Sequence, residues 1–224
     1  MSVSGGSAEG ARRLAAVVGV LYLVSHVTSV AAVPLLRSGV AAGGLRLGVA
    51  LELILAGAVI ATGTGLVALV QRRAPMLAYT FAALRLLEGA VIAVGTLPVL
   101  VLVAGPGLVG ESAVWALHEA AFLVGQGLII SVNTVVLGAL ILRSGAVARW
   151  IGWLAVVGGV LVLVGNVLQF VGVADRAAVG VAGLLAIPVF VFEISFALTL
   201  IVRGMRSEEF PRSLSTGSQE PAHV

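Results

Sequence analysis

The chain has no cysteine and no lysine, only one aspartate (Asp175), and charged side chains make up just 10% of its 224 residues. Without cysteine there are no disulfides, thiolate metal sites or cysteine nucleophiles. A soluble domain normally carries about 25% charged residues, so a chain with so few cannot cover a globule in water. The absence of lysine leaves arginine as the sole basic side chain, and a pI near 10.5 therefore reflects arginine usage. No basic stripe interleaved with aromatics is present, which argues against nucleic-acid binding. Also missing are GxSxG and a phosphate-binding Walker loop.

What is abundant is apolar. Hydrophobic residues form 60% of the sequence and the mean hydropathy is +1.17. Lipid is the solvent that suits such a composition. Segments near residues 14–36, 48–70, 76–104, 113–142, 150–172 and 178–203 are each long enough to cross about 30 Å of hydrocarbon as a helix. Helices are required because no backbone polar group can stay unpaired in lipid, and no alternating barrel pattern appears. The expected fold is an all-α, polytopic transmembrane bundle of six spans over 12–204. Residues 1–11 and 205–224 are polar and read as disordered cytoplasmic ends.

Arginine positions orient the bundle. With the N-terminus inside, the inner side holds Arg12, Arg13, Arg72, Arg73, Arg143, Arg149, Arg203, Arg206 and Arg212, against Arg37, Arg46 and Arg176 outside. That asymmetry predicts both termini in the cytoplasm. The run from Arg12 to "SVA" at 29–31 imitates a cleavable signal, but its apolar character continues to Leu36, which favours a retained helix. Trp150 and Trp153 beside Arg149 read as an interfacial anchor. Gly57, Ala61 and Gly65, four apart, would make one smooth helix face. Pro98 and Pro188 fall within spans three and six.

Ionisable residues inside the spans are the candidate site, because each is expensive to place in lipid. Counting 1.5 Å per helical residue from the nearest arginine-rich end puts His26 about 20 Å deep, Arg85 about 18 Å, Glu88 about 22 Å and Glu193 about 15 Å. These four share one central layer. Arg85 and Glu88, three apart, lie on one helix face, and Glu193 on another span would complete a Glu–Arg–Glu cluster around the five guanidinium donors. One carboxyl of such a cluster is a candidate proton carrier, and His26 a candidate relay. Asn133, Asn166 and Gln169 add hydrogen-bonding capacity. Glu52, His118 and Glu119 form a second, outer layer. "HEAAF" at 118–122 begins like the zincin motif HExxH, but Phe122 stands where the second metal-binding His belongs.

Several stretches taken together resemble a known family: "RRLAAVVGVLYLVSH" at 12–26, "LRLLEGAVIAVG" at 84–95, "LGALILRSGAVARWIGWLAVVGGV" at 137–160 and "IPVFVFEISFALTLIVRG" at 187–204. They are similar, in the same order, to the bacterial membrane family called domain of unknown function 4386. That family usually reads Ile-Pro-Arg before span five, where this chain has Ala148. The resemblance implies a six-helix membrane protein, with recurring polar positions at Arg85, Glu88, His118 and Glu193, and it implies no activity.

The leading expectation is therefore a membrane protein whose intramembrane cluster binds or moves a small solute or proton. The alternatives are a structural or interaction protein whose buried ion pairs only fix helix packing, and an intramembrane metal-dependent enzyme using His118 and Glu119. No cofactor is expected. Lipid, a small solute or proton, and a second copy of the chain are the partners considered.

Overall fold

The computed structural model describes residues 4–37, 42–105, 107–173 and 179–206. It is all-helical over these residues. Six helices follow in order: α1 Ser4–Arg37, α2 Ala42–Val70, α3 Pro75–Ala104, α4 Glu111–Ser144, α5 Arg149–Phe170 and α6 Val179–Val202. Each contains a stretch long and apolar enough to cross a membrane. The six expected spans are all present, and their ends differ from expectation by at most two residues except at the start of α2, which lies at Ala42 instead of 48, and at the N-terminus. There α1 starts at Ser4, inside the segment read as disordered. Ala8 and Ala11 are strong helix formers, and Arg13 reaches back one turn to Glu9 at 2.5 Å, an i,i+4 pair that supports an exposed helix end. Of the tail at 205–224, Met205 packs on the core and Arg206 donates its backbone N–H to the Ala146 carbonyl; residues 207–224, like Arg176, lie outside the described residues.

The helices form a closed ring in chain order. Each packs on the next, and α6 returns to α1. Close approaches at glycine hold the ring together. A Cβ on Gly19 of α1 would sit 2.6 Å from the Ala197 carbonyl oxygen of α6, and one on Gly138 of α4 would sit 2.7 Å from the Gly152 carbonyl oxygen of α5. Both are below any tolerable contact, so only glycine permits these crossings. Gly145 ends α4 at φ +61°, the left-handed cap that glycine adopts without strain. The smooth face expected on α2 is only partly an interface: Gly65 meets Val18 of α1, whereas Gly57 is exposed with open space beside it.

At the arginine-rich end the ring is filled by a continuous apolar core that includes Val18, Tyr22, Leu66, Phe81, Leu137, Ile141, Phe196 and Leu200. Arg73 ties the loops there, donating to the Ser144 carbonyl at 3.4 Å and to the Arg206 carbonyl. A smaller core of Ala32, Leu36, Val49, Val99 and Val114 joins α1–α4 toward the other end. Trp150 and Trp153 are exposed at the start of α5, as an interfacial anchor requires. The outward surface of the helices is mostly apolar, with Val20, Ile54, Leu87, Val94 and Leu198 among the exposed side chains.

Helix α4 is not uniform. Leu123–Ile129 is π-helical, between α-helical Glu111–Phe122 and Ile130–Ser144. The wider turn sits where Gly125 faces Val91 and Gly127 faces Asn166, so glycine lets neighbouring helices fill the space beside it. Such segments are frequent at functional sites, and this one borders the cavity described next.

Candidate functional site

Between the two apolar cores lies a cavity of about 270 Å³, to which all six helices contribute. Its lining contains all four residues assigned to the central layer: His26 from α1, Arg85 and Glu88 from α3, and Glu193 from α6. Ser25, Ser29 and Gln126 add polar groups, and Leu55, Val59, Ile130, Val162, Val189 and Phe190 make an apolar wall. Lining residues Val30, Phe122, Ala186 and Phe190 are exposed, and along their helices they lie farther from the arginine-rich end than the charges do. The charged groups therefore form the floor of the cavity, with the aromatic and aliphatic core beneath them.

The charges pair differently from the expected Glu–Arg–Glu cluster. Arg85 Nη1 lies 3.3 Å from both carboxylate oxygens of Glu88, with side chains 5% and 1% exposed. Asn133 of α4 donates from Nδ2 to Glu88 Oε2 at 2.7 Å. The guanidinium also lies 5.0 Å from the centre of the Tyr22 ring and 5.5 Å from that of Phe81. These aromatic faces stabilise a desolvated cation by about 2 kcal/mol or more. Glu193 takes no direct part. It accepts from His26 Nδ1 at 3.0 Å, and Phe190 holds the His26 ring edge-to-face at 4.4 Å between centroids. The floor thus consists of two separate pairs: Arg85–Glu88, neutral as a unit and closed by Asn133, and His26–Glu193, whose charge depends on one proton. Because Nδ1 is committed to the carboxylate, that proton belongs on His26 Nε2, which is buried without a hydrogen-bond partner. Arg85 Nε is likewise unpartnered.

The outer layer is reduced to two members. His118 lies 2.9 Å from the Gly95 carbonyl through Nδ1, so that nitrogen must carry a proton, and its Nε2 lies 3.5 Å from Glu52 Oε1. A lone pair facing a carboxylate would be repelled, so the pair is favourable only when His118 and Glu52 share a further proton. Glu119 is on the exposed face of α4 and does not join them. Among the described residues no three His, Asp or Glu side chains group as metal ligands, so the metalloenzyme reading lacks a donor set. A very small second cavity touches Glu52 and His118, and it shares Phe122 and Gln126 with the main one.

Tyr22, Ser25, Ser29 and Gln126 are site residues that sequence reading missed. Tyr22, His26 and Ser29 recur at i, i+4 and i+7 on one face of α1, a signal that could have been found. Gln126, an isolated amide in an apolar span, was equally visible; Ser29 donates to it at 2.7 Å. Asn166 donates to its own helix at the Val162 carbonyl, 2.8 Å away, and Gln169 is not part of the lining.

A ring of six helices, each with a stretch long and apolar enough to cross a membrane, defines a multi-pass membrane protein. Residues 13–204 match the family described as Domain of unknown function (DUF4386). The chain belongs to that family, and the resemblance of its motifs is confirmed. No curated protein and no solved structure matches the chain.

Proposed function

We propose that the protein binds a small solute within the membrane, in the cavity floored by His26, Arg85, Glu88 and Glu193. The observation that carries this reading is the convergence of four ionisable side chains from three helices on one cavity, with His26 Nε2 and Arg85 Nε unpartnered. A buried donor or acceptor left unmade costs about 1–3 kcal/mol. A cluster serving only to lock helices gains nothing by keeping that cost and a cavity beside it. The two pairs divide the roles. Arg85–Glu88–Asn133 is fully buried and acts as a clasp that fixes α3 against α4, which retains the structural reading for that half. His26–Glu193, less buried and joining the first helix to the last, is the half that meets a ligand.

Orientation follows from the arginine asymmetry. With the arginine-rich end in the cytoplasm of a bacterial cell, the cavity faces the outer half of the inner membrane and the apolar core seals it from the cytoplasm.

The cysteine-free chain makes the test direct. In Ser29→Cys the single thiol lies in the cavity, whereas in Ser131→Cys, at a position 1% exposed, it is packed between helices. Maleimides react with the thiolate, which needs water. Ser29→Cys should label with N-ethylmaleimide and Ser131→Cys should not. Equal inertness would mean a dry cluster, and the structural reading would replace the solute site.

A further inference from the structure

The charge count at the cavity floor points to the class of solute, an inference that rests on the binding reading above. Four ionisable groups face this space: His26 from α1, Arg85 and Glu88 from α3, and Glu193 from α6. Tyr22 lies beneath, against the guanidinium, while α2, α4 and α5 bring only uncharged residues to the lining, Gln126 among them. His118 and Glu52 stand beyond Gln126 in the adjoining small cavity. Arg85 and Glu88 cancel. What remains is Glu193, whose one hydrogen bond runs from Oε2 to His26 Nδ1, leaving Oε1 without a partner among the described residues. With His26 neutral the floor carries one net negative charge, and with His26 protonated at Nε2 it carries none.

We infer that the cavity takes a monovalent organic cation with an apolar body, and that this cation and a proton on His26 occupy the floor alternately. Three features select such a ligand. The free carboxylate oxygen of Glu193 supplies one countercharge, enough for one positive group. The wall is aliphatic with the Phe190 ring beside the carboxylate, a surface suited to alkyl or aryl substituents and to a cation near an aromatic face. The cavity holds a molecule of roughly ten heavy atoms, near the lower end of ligand-site volumes. The exchange balances simply. The cation arrives beside Glu193, the imidazolium becomes imidazole by losing the Nε2 proton, and that proton leaves to water while Nδ1–H keeps its bond to the carboxylate. Both cations in one low-dielectric site would repel strongly, so occupancy by one excludes the other. Affinity should therefore rise as pH rises and the imidazolium gives up its proton.

The test uses the purified full-length protein and benzyltrimethylammonium, a permanently charged probe that cannot itself lose a proton. In lightly buffered detergent solution near pH 6, binding should release up to one proton per probe bound, read with a pH indicator. Affinity should fall several-fold, at most about tenfold, for each unit that pH is lowered below the His26 transition. Neopentylbenzene, the uncharged carbon isostere, should bind at least tenfold more weakly. Glu193→Gln should lose cation binding, and His26→Asn should bind the cation with no proton released and no pH dependence. Equal binding of the neutral isostere, or cation binding by the wild-type protein without proton release, overturns the exchange. Binding of neither probe, with Ser29→Cys still labelled, also overturns the cation assignment while the cavity reading stands. An inert Ser29→Cys removes both.

Discussion

Asn133 of α4 donates a hydrogen bond to Glu88 of α3 at 2.7 Å, on the carboxylate that also faces Arg85. Three groups thus pair with one another on side chains that are almost wholly buried. Removing one charge of such a pair leaves the other buried and uncompensated, a cost of about 3–5 kcal/mol, whereas replacing both with apolar residues is often neutral. Glu88→Leu and Arg85→Leu should each lower thermal stability in detergent sharply. The double variant Arg85→Leu/Glu88→Leu should recover most of it. A double variant as unstable as the singles would mean that Arg85 or Glu88 holds the bundle through some other contact.

The helix crossings predict an asymmetry between glycines. Gly138→Ala would press a methyl against the backbone of α5, where neither side can yield, at a cost of about 1–3 kcal/mol. Gly57→Ala adds its methyl to open space and replaces a poor helix former by the best one. Thermal unfolding should show the first variant destabilised and the second unchanged or slightly stabilised.

His118 braces two partners at once, the Gly95 carbonyl and the Glu52 carboxylate. His118→Leu leaves both without it and should destabilise by several kcal/mol, and Glu52→Leu in the same chain should restore part of the loss. Since two donors do not make a metal site, chelation by EDTA should not shift the melting temperature of the wild-type protein. A downward shift would return the outer pair to candidacy as a metal centre.

Topology can be read with an impermeant maleimide on intact cells. Ser112→Cys, at the start of α4, should label from outside, and Arg72→Cys, between α2 and α3, only after the membrane is opened. The reverse pattern would invert the bundle and turn the cavity toward the cytoplasm.

The parts of this architecture legible in the sequence are those that depend on one dimension. Hydropathy located all six spans, and helical rise alone placed His26, Arg85, Glu88 and Glu193 at one depth, where they line one cavity. Partner choice depends on the rotation of each helix about its axis, which depth does not encode. Glu193 therefore bonds His26 instead of Arg85, and Glu119, beside His118 in sequence, points away from it. The π-helical turn was not legible either, because Leu123–Ile129 has the same apolar and glycine-rich character as the α-helical segments around it. It sits where Val91 and Asn166 pack against Gly125 and Gly127.

Closure of the ring by α1 and α6 sets an order on assembly. His26 and Glu193 are 167 residues apart, so during synthesis the imidazole enters the bilayer long before its acid exists. Until the final helix arrives, the first one carries an unmatched polar side chain in lipid, and the nascent chain has no pocket at all. A chain that stops short of α6 would therefore leave His26 without its acid and the pocket without one of its walls.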